Sequence, residues 1–421
     1  MRLLYTLLWY LLLPVLFARL WWRGRRAPEY RQRWGERLAL GLKPLRLQAS
    51  VWIHAVSVGE VLAAAPLIRT LLEEHPATPV VVTTTTPTGS ERVCALFGDQ
   101  VTHVYCPWDL PGALGRFHHA FDPRLVLVME TELWPNLVAS AYKRHVPVML
   151  VNGRLSLSSY RGYARLPALT RPMMGALTRV LAQTDEEAYR FRRLGVSANA
   201  VDVTGNIKFD LSLSETVRAQ ASELREHFAA RPVWMAASTH EGEDEPVLEA
   251  HRRVRASHPE ALLVLVPRHP ERFEGVAELV GQQGFDCVRR SAGARVGDAG
   301  VYLADTMGEL LMLLGTADAA FVGGSLVPVG GHNLLEPAAW SVPVLSGPRL
   351  HNFQHVARLL DHAGALTQVH KADELGRSIA ALLSDETERK RQGAAGAAVV
   401  AAHRGALQRV VSSVAAFWPT E

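Results

Sequence analysis

Six short strings in this sequence gather acids, cations and glycines at the ends of apolar runs, where side chains can meet a ligand. HAVSVGEV places Ser57, Gly59 and Glu60 where a loop turns into a helix. Gly59 permits a tight turn, and Glu60 falls in the first helical turn near the positive end of the helix dipole. Such a carboxylate either caps the helix or stands as a general base. METELWPN puts Glu130 and Glu132 directly after an apolar strand, and two acids there need partners or a task. If the strand continues, alternation sets both on one face.

The second half carries anion-binding character. ASTHEGEDE presents Ser238, Thr239 and His240 between a strand and a helix, where hydroxyls and backbone N–H groups can hold phosphate. LVPRHPERF offers Arg268, a planar fork for phosphate or carboxylate, with His269 beside it. DTMGEL opens another helix. FVGGSLVPVGGHNLLEPAAW sets Gly323, Gly324, Gly330 and Gly331 around a loop whose backbone can approach a ligand. Asn333 then begins a helix carrying Glu336, an arrangement suited to a ribose and a phosphate. His332 and Glu336 also stand at metal-ligand spacing, but no third ligand lies near in sequence. No phosphate-loop G-x-x-x-x-G-K-[ST], no G-x-G-x-x-G after a strand, no H-E-x-x-H and no D-x-D occurs.

The elements that must position these residues alternate. Apolar runs begin near 51, 80, 101, 124, 146, 179 and 201, and again near 232, 261, 286, 300, 319 and 343, with helical stretches between most of them. Apolar strands alternating with helices predict parallel sheets covered on both faces. A polar, charged stretch over 209–231 reads as a linker with a helical portion, and 372–417 reads as helical throughout. The fold class predicted is α/β, with two Rossmann-like units facing a cleft. Ligands of such sheets lie beyond the carboxyl ends of the strands, which is where the six strings fall.

The 421 residues carry 45 Lys and Arg against 41 Asp and Glu, a net of +4, and the pI is near 9.0. That balance would suit nucleic acid if it were spread along the chain, but residues 1–46 alone hold ten cations and two acids, so the remainder is mildly acidic. The three cysteines, Cys94, Cys106 and Cys287, form no C-x-x-C pair, and a reducing compartment is expected. From Leu3 to Ala18 there is no charge. Sixteen helical residues reach roughly 24 Å, short of the ~30 Å of bilayer hydrocarbon. Trp21 and Trp22 suit the membrane interface, and Arg23, Arg25 and Arg26 follow. The reading is a membrane anchor with a basic, Trp-bearing flank, the body lying on the cytoplasmic side. Spanning and lying in one leaflet are both open.

The strings SVGE, TPTGSERV, METELWPN, STHEGE, VPRHPER, DTMGEL and GGSLVPVGGHNLLEP, in this order, resemble the 3-deoxy-D-manno-octulosonic acid (Kdo) transferase family, as does the N-terminal RGRRAPEYRQRWGERL. The resemblance covers essentially the whole chain. It implies a GT-B glycosyltransferase moving Kdo from CMP-Kdo to a lipid A precursor, lipid IVA, at the cytoplasmic face of the inner membrane. It implies inversion at the sugar carbon and no cofactor, metal or nucleic acid. By position, Glu60 matches the catalytic base and Glu130 a second acid. Arg268, His269, Met307, Gly308, Glu309, Asn333, Leu334, Leu335 and Glu336 match CMP-binding positions. Ser57, Ser238, Thr239, Gly323, Gly324 and Gly331 are further substrate-binding candidates. Arg154 or Lys208 is expected to meet the Kdo carboxylate. The division expected is an anchor at 1–22, a basic membrane-proximal segment at 23–46, an acceptor-binding domain at 47–208, a linker at 209–231 and a CMP-sugar-binding domain at 232–421. Two other readings stay open: a GT-B enzyme with another donor, such as a UDP-sugar or CMP-sialic acid, and a non-catalytic, membrane-tethered nucleotide-binding scaffold.

Overall fold

The computed structural model describes residues 1–25, 27–44 and 49–419. The chain divides into two compact units, residues 1–208 with 404–421, and residues 209–403.

Among the described residues, the first unit is built on one seven-stranded parallel sheet. Its strands are β1 (Ser50–His54), β2 (Val80–Thr84), β3 (Thr102–Tyr105), β4 (Pro123–Met129), β5 (Val148–Gly153), β6 (Arg179–Ala182) and β7 (Val201–Val203), in the order β3-β2-β1-β4-β5-β6-β7. Alternate residues feed opposite cores. Leu125, Leu127 and Met129 of β4 pack on one face with Ile53, Leu67 and Ile68, and Val126 and Val128 pack on the other with Trp52, Phe117 and Phe121. Both faces are covered, so the strands read as unbroken apolar runs. Each fully buried Leu, Ile or Val adds about 1.5–3 kcal/mol of favourable burial, before the entropy cost of ordering the chain. The order reverses between β1 and β4, which opens a crevice beyond their carboxyl ends.

The second unit repeats the plan with β8 (Val233–Thr239), β9 (Leu262–Pro267), β10 (Cys287–Arg289), β11 (Val301–Leu303), β12 (Ala319–Val322), β13 (Val344–Ser346) and β14 (Leu366–Gln368), in the order β10-β11-β9-β8-β12-β13-β14. Here the reversal lies between β8 and β12. Every expected strand forms, and β14 is additional.

The unit boundaries depart from the expected division at two places. The linker helix Glu215–His227 buries Ala221 and Leu224 against Val233, Met235 and Leu262, so it belongs to the second sheet. The final helix, Ala406–Ala415, buries Val410, Val411 and Val414 beside Ile53, Leu67 and Met149 in the first unit. Arg409 Nε fixes that return by donating to the Thr204 carbonyl at 2.8 Å.

The basic segment also differs from expectation. Arg33 pairs with Glu36 and donates to Ser90, while Arg37 is buried, donates to the Thr85 carbonyl at 3.0 Å and lies over the Tyr105 ring. These two cations are spent on unit one rather than offered to a membrane. Arg26 and Arg46 lie outside the described residues.

Candidate active site

In the first unit, the acids gather at the β1–β4 reversal. The chain leaves β1 and enters the helix Val58–Glu74, whose N-cap is Ser57. Glu60 stands at the third helical position. Its carboxylate accepts the Val56 N–H at 2.9 Å and the Ser57 hydroxyl at 3.2 Å, a reciprocal cap of the helix start. Burial pushes its pKa up to about 7, and the charges of Glu130 and Glu132 add to the rise, against the Val56 and Ser57 bonds that favour the ionised form. Glu60 thus caps the helix and also carries a raised pKa.

Glu130 does not continue β4. Its φ of 53° lies in the left-handed region, so Glu130 and Glu132 leave the strand by a turn instead of alternating along it. A non-glycine residue there costs on the order of 1–3 kcal/mol, and the surroundings hold it. Its N–H donates to Val151 O at 2.9 Å, its carbonyl accepts the Arg154 N–H at 3.2 Å, and its carboxylate pairs with Lys208 Nζ at 2.8 Å. The two cations expected to meet a sugar carboxylate thus both converge on Glu130, Arg154 through its backbone and Lys208 through its ammonium. Glu132 accepts from Trp134 Nε1 at 3.1 Å.

In the second unit, the four remaining strings lie at the carboxyl ends of the adjacent strands β11, β9, β8 and β12. Arg268 follows β9, and its N–H donates to Thr239 O at 3.0 Å. Among the described residues its guanidinium forms no ion pair, and its charge is felt at His240, His332 and Glu336. His240 stacks on His332 with centroids 5.0 Å apart and an Nε2–Nε2 distance of 2.7 Å, and His269 meets His240 edge-on at 5.2 Å. Burial, with these neighbours, pulls the His332 pKa down to about 3 and lowers that of His240. His332 precedes the short helix Leu335–Ala339, so its spacing to Glu336 is not a helical i, i+4 pair. Asn333 Oδ1 accepts from Leu335 N–H at 3.1 Å, and burial raises the pKa of Glu336.

The glycine loop behaves differently from its sequence reading. Glu243, fully buried, accepts from the backbone N–H groups of His240, Gly324, Ser325 and Leu326 at 2.6–3.0 Å. Gly330 and Gly331 both donate to the Gly324 carbonyl. The expected phosphate donors of Gly324, Gly331 and His240 are therefore occupied within the protein, and the Thr239 hydroxyl is taken by Asp244 at 2.7 Å. Gly323 is required for close approach, because a Cβ there would stand 2.6 Å from the Ser238 carbonyl oxygen. Ser238 is buried with φ of 57°. Arg272, overlooked in the sequence, completes the frame through Thr239 O at 2.7 Å and an ion pair with Asp244. Met307 is exposed, Gly308 has φ of 88°, and Glu309 is held by Arg290 at 2.9 Å and by Thr306. A cavity of about 440 Å³ opens beside Gly308 and Glu309, lined also by Arg290, Gln220 and His227.

Comparison with known proteins gives these sites a family. Residues 32–211 match the family model described as 3-deoxy-D-manno-octulosonic-acid transferase. The 3-deoxy-D-manno-octulosonic acid transferase of Haemophilus influenzae is 42% identical over 414 residues, covering 97% of each chain. The chain belongs to the Kdo transferase family. It is a glycosyltransferase, and Kdo transfer in lipopolysaccharide biosynthesis is its function. The UDP-GlcNAc 2-epimerase of Neisseria meningitidis shares the fold, with 15% identity, 87% of this chain, 99% of that chain and a TM-score of 0.57. The C-terminal CMP-Kdo binding domain of WaaA from Acinetobacter baumannii matches 44% of this chain and 98% of its own length, at 34% identity and a TM-score of 0.43. The GT-B class expected from the sequence is borne out.

In this Kdo transferase the structure brings Ser57, Glu60, Glu130, Arg154 and Lys208 to one end of the first sheet. It brings Ser238–His240, Arg268, His269, Met307–Glu309 and Gly323–Glu336 to the carboxyl end of the second. Glu243 went unread because it sits among four other acids in 241–249, and a run of acids looks like a solvated face. The signal present was its place between a strand end and a helix, the same place as Glu60.

Proposed function

We propose that this transferase moves Kdo from CMP-Kdo to a hydroxyl of a lipid A precursor, lipid IVA, with Glu60 as the general base. Glu60 takes the hydroxyl proton as oxygen bonds to the ketose carbon, and the carbon–phosphate-oxygen bond breaks with its electron pair leaving on CMP. Attack opposite the leaving group inverts the carbon. The observation that carries this reading is Glu60 itself: a carboxylate held by Val56 and Ser57, with its pKa brought to about 7, is partly ionised at neutral pH and basic enough to take up the hydroxyl proton.

The other residues divide around that step. Glu130 faces the positive charge that develops at the ketose carbon, and Lys208, its partner at 2.8 Å, is within reach of the Kdo carboxylate once that acid arrives. Arg268, whose guanidinium forms no ion pair among the described residues and whose charge is felt at His240, His332 and Glu336, receives the CMP phosphate. Asn333–Glu336 and Met307–Glu309 hold the nucleoside, Glu336 accepting from ribose hydroxyls. The enzyme works at the cytoplasmic face of the inner membrane, held by the apolar helix Arg2–Arg23.

The test is an assay of purified full-length enzyme with CMP-Kdo and tetraacylated lipid IVA, following CMP release and resolving the lipid product by mass. Acceptor-dependent CMP release with a lipid heavier by whole Kdo units is the expected result. CMP release without a Kdo-bearing lipid, or Kdo transfer from another nucleotide sugar only, would overturn the donor and acceptor assignments.

A further inference from the structure

The helix Arg2–Arg23 has two unlike faces. Thr6, Trp9, Leu13, Leu16, Phe17 and Leu20 recur mostly at three- and four-residue steps, and all are half-buried against the first unit. The contacts are specific. Asn136 Nδ2 donates to Thr6 Oγ1 at 2.9 Å and to the Asp109 carbonyl at 2.7 Å, and the buried Asp109 carboxylate accepts the N–H groups of Asn136 and Leu137. Trp9 meets Trp134 at 6.1 Å, and Phe17 meets Trp108 at 4.8 Å and Trp34 at 5.3 Å. The opposite face is Leu3, Leu4, Leu7, Leu8, Leu11 and Val15, all exposed by half or more. At its carboxyl end stand Arg19, Arg23 and Arg25, with Arg25 over the Trp21 ring at 4.5 Å, and the first acid in the chain is Glu29.

We propose that this helix lies in the plane of one leaflet of an anionic bilayer, docked on the first unit along one face, and does not cross the membrane. The inference rests on the membrane reading above and fixes its geometry. Docked contacts run from Thr6 to Leu20, roughly 21 Å of helix. A crossing helix must clear about 30 Å of hydrocarbon. With the body attached along most of that length, crossing would carry the Asp109–Asn136 network into the hydrocarbon, where polar groups are costly. Lying flat, the leucine face enters the acyl region to about 5–10 Å and the cations meet lipid phosphates, which is the charge pattern of an interfacial helix. The docked face also touches the acid-bearing turn, because Trp134 lies between Trp9 and the Glu132 carboxylate. An acceptor whose sugars sit at the headgroup layer is then presented at the level of Glu130 and Glu132.

The experiment uses full-length enzyme with Cys94→Ser and Cys287→Ser, the buried Cys106 retained. Single cysteines replace Arg2, Leu4, Leu8, Leu11, Leu13, Val15 and Leu16, and each carries a nitroxide. Depth is read from oxygen and nickel-chelate collisions in vesicles of phosphatidylglycerol and phosphatidylethanolamine. CMP binding checks that each variant is folded. The expected result is one shallow depth for Leu4, Leu8, Leu11 and Val15, varying by no more than about 10 Å, one helix diameter. Leu13 and Leu16 should be shielded from both reagents, and Arg2 should be accessible from the same side as the body. A depth passing through the bilayer centre near Leu11, with Arg2 reached only from the far side, would overturn the proposal. So would spin–spin broadening at Leu8 from a second copy covering this face. Failure of the enzyme to sediment with vesicles would instead remove the membrane reading itself.

Discussion

The two units share an architecture and differ in what they place at its crevice. Each is a seven-stranded parallel sheet whose order reverses once, between β1 and β4 in one and between β8 and β12 in the other. Each holds a non-glycine residue in the left-handed region near that reversal, Glu130 at 53° and Ser238 at 57°. Each has a carboxylate that reaches back to backbone N–H groups near a helix start. In the first unit that carboxylate, Glu60, accepts one backbone N–H and one hydroxyl, remains partly exposed and has a pKa near 7. In the second, Glu243 accepts four backbone N–H groups and is sealed from solvent. Similar local placement leaves one carboxylate partly exposed with a raised pKa, as the proposed base requires, and makes the other a structural tie; what separates them is how many donors each carboxylate satisfies. In the proposed function, proton chemistry belongs to the first unit and anion holding to the second.

The largest effect that tests this contrast is Glu60→Gln. Loss of a general base costs about 10²–10⁴-fold in kcat, while the affinity for CMP, measured by calorimetry, should stay near that of the native enzyme. Tenfold weaker CMP binding in that variant would erase the division of labour. Glu243→Ala should act oppositely, on the frame. Four amides lose their acceptor, at about 1–3 kcal/mol for each left unpaired, so the melting temperature should fall by at least about 5 °C and CMP affinity with it. An unchanged melting curve would mean the loop does not depend on this carboxylate.

Arg268→Ala should weaken competitive inhibition by CMP by about 10- to 100-fold, the worth of one charged hydrogen bond at 1.5–3 kcal/mol, with the melting temperature unmoved. The Lys208–Glu130 pair gives the smallest and most diagnostic effect. In a double-mutant cycle of Lys208→Met and Glu130→Gln, followed in kcat/KM, the two should couple by about 0.5–3 kcal/mol. Strict additivity would show that the ion pair at 2.8 Å is not what both residues contribute.

Much of this fold is legible in the sequence. The strands announced themselves because both faces are buried, so β4 or β9 reads as an unbroken apolar run, and the six chemical strings fell at strand ends as a doubly wound sheet demands. The three-residue β14 was not legible, since LTQ has no apolar pattern to announce it. The return of Ala406–Ala415 to the first sheet was hidden for another reason: an apolar stripe declares that a helix packs, without saying where. The glycine loop misled because glycine marks close approach of any kind. Gly323 makes room for the Ser238 carbonyl, and the N–H groups of Gly324, Ser325 and Leu326 go to Glu243, so no phosphate is needed to explain them. Arg33 and Arg37 looked like surface charge until their partners Glu36, Ser90 and Thr85 were brought beside them by folding.

The assignment of Glu60 is tested most directly by the pH dependence of kcat/KM for Kdo transfer. A raised carboxyl pKa means that Glu60 is protonated, and idle as a base, below about pH 7, and is ionised above it. Activity of the native enzyme should therefore rise about tenfold per pH unit up to a bend near 7 and then level. In Glu60→Gln the rate should be lower by 10²–10⁴-fold and that rising limb should be gone. A Glu60→Gln enzyme that keeps the limb near pH 7, at any overall rate, would place the base on another residue.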